Sequence, residues 1–111
     1  MNAKREHIKD RPLNKIVVPA THDSGMSRID LKFPGVGSPA NTQTQGLTFF
    51  NPLKAGARWF DVRVVLMHKI CDVTDYEFVT AHLSSSTGDL KLGGVGETLK
   101  EVIDALNDFN E

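Results

Sequence analysis

With 111 residues, 40% hydrophobic and 24% charged, the chain has the size and composition of one globular domain and not of a disordered segment. Thirteen basic residues against fourteen acidic ones give a formal net charge of -1, which excludes a strongly basic nucleic-acid binder and offers no general attraction to anionic membranes. The single cysteine, Cys71, excludes an internal disulfide framework and a cysteine zinc cluster, and is read as a small buried or half-buried thiol.

Residues 1–14 are polar and charged, with Pro12 among them, and are expected to form an arm, either mobile or folded as a short terminal helix. They lack an apolar core of signal-peptide length, and no later run is long enough to span a bilayer. The compartment is therefore open, with secretion requiring a processed N-terminus. The β-branched run Ile16, Val17, Val18 within Lys15 to Ala20 shows no alternation, as expected of a strand covered on both faces, with Pro19 at its end. Directly after it comes THDSG, residues 21–25.

From Ser24 to Thr48 glycine, proline and small polar residues dominate, so a long loop with at most short helical pieces is expected. Leu47, Phe49, Phe50, Leu53 and Ala55 then predict a short helix stopping at Gly56. The stretch ARWFDVRVVLM, residues 57–67, predicts a strand with Trp59, Asp61, Arg63 and Val65 on one face. Trp59 is expected to be buried, and Arg58, on the opposite face, to pack its stem outward. An acid and a base at this spacing need each other, or a ligand, to offset desolvation.

YEFVTAH, residues 76–82, predicts a third strand, and the link before it is too short for a helical crossover. A hairpin follows, with His82 placed opposite Asp61 or Arg63 on the same side of the sheet. Leu83 to Gly96 is a small and polar stretch, in which the run Ser84, Ser85, Ser86, Thr87 is expected to be a flexible loop, with contact to a phosphate as the alternative. Leu99, Val102, Ile103, Leu106 and Phe109 recur at helical intervals, and Thr98 with Glu101 forms a capping box for a final amphipathic helix that needs a sheet to cover.

Two histidines at strand ends with an arginine between them form a set sufficient for phosphodiester cleavage without a metal. One imidazole takes a proton from the nucleophile, the other protonates the leaving oxygen, and the planar guanidinium matches the non-bridging phosphate oxygens. The stretches IVVPATHDSGM, AGARWFDVRV and VTAHLS, in this order and followed by ETLKEVIDALNDF, resemble the N-terminal part of the phosphatidylinositol-specific phospholipase C X-domain family. The resemblance covers roughly residues 13 to 110.

It implies an α/β fold, a distorted (β/α)8 barrel with its site at the C-terminal strand ends. Such a barrel takes about 250 residues, so residues 15–111 are expected to hold only about its first three strands and their helices. Carried over, His22 is the general base, His82 the general acid, Asp23 the residue orienting His82, and Arg63 the phosphate clamp; Asp61 joins Arg63 in the substrate-binding set, with a structural role fixing the arginine as its alternative. Calcium-dependent members carry an acid-x-acid pair where this chain has Asp61, Val62, Arg63, so the metal-independent bacterial and fungal type is expected, with no metal and no cofactor. The implied partner is a phosphatidylinositol-like phospholipid, reached by transient contact with a membrane surface. An open sheet edge leaves room for self-association. The alternative is a non-catalytic descendant that binds a lipid headgroup or a protein.

Overall fold

The computed structural model of the chain describes residues 5–86 and 89–110; the arm residues 1–4 and Thr87 lie outside the described residues. The fold is mixed α/β. A short helix α1 (Arg5–Ile8) and a 3-10 turn (Leu13–Lys15) precede β1 (Ala20–Thr21). There follow α2 (Pro39–Thr42), α3 (Phe50–Ala55), β2 (Trp59–Phe60), β3 (Val64–Lys69), β4 (Asp72–Ser86), β5 (Asp89–Thr98) and α4 (Leu99–Asn110).

Two small sheets carry the fold. β1 and β2 pair in parallel, Ala20 opposite Trp59 and Thr21 opposite Phe60, while β3, β4 and β5 form an antiparallel meander. The parallel pair is short, yet backbone bonds continue it at both ends. Arg58 and Trp59 donate to the Pro19 carbonyl, Asp61 donates to Thr21, and Ser24 donates to Asp61 at 2.7 Å. These bonds hold the THDSG run against the segment 61–63.

The first strand is shorter than its composition predicts. Ile16 to Val18 lie outside the strand and Val17 is fully exposed, because among the described residues no layer covers both faces of this segment. The second strand breaks at residues 61–63, so Trp59 and Val65 belong to different sheets. Trp59 is 56% exposed instead of buried. The Arg58 guanidinium lies 4.9 Å from the Phe109 ring centroid and bonds the Leu53 and Ala57 carbonyls, so its stem packs against α4 and not outward.

The predicted hairpin is present, and its turn carries Cys71 as an exposed thiol. The register differs by one residue from the expected pairing. Ala81 donates to the Arg63 carbonyl at 2.9 Å, which sets His82 one step beyond Arg63. Ser84 to Ser86, expected as loop, are strand: β4 runs to Ser86 and β5 starts at Asp89. Glycines in β5 permit this by letting other backbone pack flat on it. A Cβ on Gly94 or on Gly35 would press into the facing chain, and Gly37 and Val36 donate to the Gly93 and Leu92 carbonyls.

The core divides in two. Phe49, Leu53, Val102 and Ala105 join α3 to α4, with Phe60, Val62 and Phe109 around them, while Phe33, Val79 and Val95 fill the meander with Val65, Met67 and Leu92. Helix α4 carries the predicted capping box: Thr98 N–H donates to Glu101 Oε2 at 2.7 Å, and Glu101 N–H donates to Thr98 Oγ1 at 3.1 Å. Its burial centres on Val102 and Ala105, with Ile103 and Leu106 exposed, because it packs against the short helix α3 and only part of the meander.

Candidate functional site

Five polar side chains meet where the parallel pair ends. Thr21 is the last residue of β1, and the chain then turns sharply: Asp23 has a φ of 46° and Gly25 a φ of 96°. Aspartate is among the few residues that enter the left-handed region at modest cost. Gly25 has no substitute there, since a Cβ would sit 2.5 Å from Thr80 Cγ2. Thr80 Oγ1 donates toward the Gly25 carbonyl at 3.0 Å and stands 2.9 Å from that of Glu97, which fastens the turn to β4 and β5.

The turn points the Asp23 side chain inward, where it is fully buried. Its Oδ1 lies 2.7 Å from Arg63 Nη1, and its Oδ2 lies 3.2 Å from His22 Nε2 and 3.6 Å from His82 Nε2. These are ion-pair contacts; among the described residues no hydrogen bond of good angle reaches either oxygen, so neighbouring charge and not directional bonding compensates the carboxylate. Asp61 completes the ring. Its Oδ2 accepts from Arg63 Nη2 at 2.9 Å, lies 3.1 Å from His22 Nδ1, and faces the Asp23 N–H at 3.4 Å.

All five residues singled out in the sequence, His22, Asp23, Asp61, Arg63 and His82, therefore lie in one network. The two imidazoles share one carboxylate oxygen, so their Nε2 atoms are no further apart than those two contacts allow. Their settings differ. His22 is 70% exposed and has a carboxylate at each ring nitrogen, whereas His82 is 24% exposed and meets Asp23 through Nε2 alone. Desolvation is the largest influence on the Asp61 carboxyl and pushes its pKa up. The Arg63 hydrogen bond, the Asp23 N–H and the charges of Arg63 and His22 together outweigh it and hold the pKa below the ordinary aspartate value.

One ligand atom from each of His22, Asp23 and Asp61 lies within 4.8 Å of the others, a spacing that suits a divalent cation. Arg63 already pairs with both carboxylates, so a cation would share them with the guanidinium.

A pocket of about 270 Å3 adjoins His82, lined by Val36, Asn41, Thr42, Ser84 and Lys91 and floored by Gly37 and Gly93. Residues 36–42 and Ser84 belong to segments expected to be loops, and Lys91 and Gly93 to a stretch read only as small and polar. The only sequence signal for the pocket is the glycine content of LKLGGVG, which marks backbone that other chain approaches closely. Comparison with protein-family models, curated proteins and solved structures found no match to this chain.

Proposed function

We propose that the chain is a phosphoric diester hydrolase or lyase acting on phosphatidylinositol-like phospholipids, built on the opening strands of a phospholipase C-like (β/α)8 barrel. The supporting observation is that His22 and His82 converge on the same Asp23 oxygen, with Arg63 on the other oxygen of that carboxylate. The barrel reading draws on the parallel pairing of β1 with β2 and on the position of His22, Asp23 and Asp61 just past the C-terminal ends of those strands.

In this reading His22 accepts the proton of the inositol 2-hydroxyl as that oxygen attacks phosphorus. The bond from phosphorus to the glycerol oxygen breaks, and His82 delivers a proton to that oxygen, leaving a cyclic inositol phosphate and diacylglycerol. His82 suits the acid role because Asp23 holds one nitrogen and leaves the other for substrate. Arg63 gives one N–H to Asp61 and meets Asp23 as an ion pair, and keeps its remaining donors for phosphate oxygens. His22 can act as a base only after its exposed ring turns one nitrogen away from its carboxylate.

That last feature also favours a second reading, a non-catalytic headgroup-binding module in which His22 is a structural bridge between Asp23 and Asp61. Phosphatidylinositol vesicles separate the two. The enzyme reading expects release of cyclic inositol phosphate, reduced about 100-fold or more in His22→Ala and in His82→Ala variants whose circular dichroism matches that of the parent. No release from the folded parent, or equal release from parent and variants, rejects it.

A further inference from the structure

We propose that the pocket beside His82 is an oxyanion subsite in which Lys91 and the Asn41 amide hold a phosphate group, a proposal that rests on the phosphodiesterase reading above for its place in a reaction. The local charge balance motivates it. Two carboxylates, Asp23 and Asp61, face a single guanidinium, which both of them already engage. An anionic ligand entering there meets no surplus positive charge on these three groups and needs another cation close by.

Lys91 supplies one. It lies on β5 opposite Ser84 of β4, lines the pocket that His82 also lines, and has no carboxylate partner among the described residues. Two other polar groups of the wall, Asn41 and Ser84, present donors, while the Thr42 hydroxyl spends its proton on Asn41. Asn41 Oδ1 is occupied by the Ser38 N–H and the Thr42 hydroxyl, both at 2.8 Å, which leaves the Asn41 NH2 group to serve a ligand. The Ser84 hydroxyl adds a donor that can rotate.

The glycines keep the space open. A Cβ on Gly93 would stand 2.9 Å from His82 Nδ1, so the bare backbone leaves clear the ring nitrogen that does not face Asp23. At about 270 Å3 the pocket admits a small polar group and not a lipid chain. A cation, two neutral donors and an imidazole around a small open space match a phosphate-class oxyanion, whether carried by a lipid headgroup or by a soluble phosphate compound.

The test is titration of the isotopically labelled chain with inorganic phosphate, followed through the amide resonances of Asn41, Ser84 and Gly93. Saturable shifts are expected in the parent, with affinity about tenfold lower in Lys91→Gln and restored in Lys91→Arg. Lys91 is exposed, so the substitution leaves the fold intact, and unchanged resonances elsewhere verify this. No saturable shift in the parent, or equal affinity in parent and Lys91→Gln, overturns the subsite. Phosphatidylinositol vesicles that displace phosphate from these amides assign the group to the lipid headgroup; phosphate that stays bound assigns it to a soluble compound, and the subsite stands in both cases. Phosphate binding without vesicle cleavage rejects the diesterase reading alone, and cleavage with phosphate affinity indifferent to Lys91 rejects the subsite alone.

Discussion

Arg63 Nη1 stands 2.7 Å from Oδ1 of the fully buried Asp23 carboxylate, and this pair ties the turn after β1 to the segment between β2 and β3. A buried charge is tolerated only with its counter-charge in place, so the contact has consequences for stability as well as for ligand binding.

Removing the guanidinium should destabilise the protein strongly. Arg63→Leu leaves Asp23 facing only imidazoles, and a loss of about 2–4 kcal/mol is expected, the cost of breaking a buried pair reduced because Arg63 is about one-third exposed. Adding Asp23→Asn to that variant should recover much of the loss, since the stranded charge is gone. Urea denaturation of the parent, both single variants and the double variant measures this cycle; additive losses would show that the two residues are energetically independent.

The lowered pKa of Asp61 carries a pH signature. A carboxyl whose folded pKa lies below its unfolded value adds stability that is fully present above the unfolded pKa, and the contribution disappears as pH falls through the folded pKa. Asp61→Asn should therefore be less stable than the parent at neutral pH, with the gap closing as the pH drops below about 4, the ordinary aspartate value. Chemical denaturation of both proteins across the acid range reads it directly. A gap that widens on acidification would reverse the sign of the assigned shift.

At Gly25 the constraint is steric. Gly25→Ala places a side chain at a φ of 96° and 2.5 Å from Thr80 Cγ2, so a loss of more than about 1 kcal/mol is expected. Thr80→Ser removes that methyl group while keeping the hydroxyl at the Gly25 and Glu97 carbonyls, and should recover part of the loss in the double variant. Thermal unfolding of the four proteins decides it: Gly25→Ala as stable as the parent would mean that the turn does not need its left-handed backbone.

The site was more legible than the fold around it. THDSG, the Asp61 to Arg63 spacing and His82 are local chemical patterns, and their meeting needs only that the first two strands lie side by side and that the third returns in a hairpin. The register was not legible to one residue. The alternation around residues 57–67 continues smoothly through Asp61 and Arg63, and nothing in it marks the break that Ser24 and Asp61 backbone bonding imposes. β5 was missed because Gly93, Gly94 and Gly96 carry the composition of a loop, whereas Gly96 lets the Gly25 carbonyl lie against the strand and Gly93 and Gly94 leave room for His82, Thr42 and Ile29.

Composition and short-range spacing by themselves determined the mixed α/β character, the cap and periodicity of α4, the Gly56 stop and the local polar patterns THDSG and Asp61 to Arg63, because each follows from neighbours a few positions apart in the chain. Tertiary structure alone decided that Asp23 is the buried hub shared by both imidazoles and the guanidinium, that Trp59 and Cys71 are exposed, and that a donor-lined pocket opens behind His82. Burial and charge compensation are properties of what surrounds a side chain in space, and here those surroundings come from segments about forty to fifty residues apart, Asp23 with Asp61 and Arg63, Asn41 with Lys91.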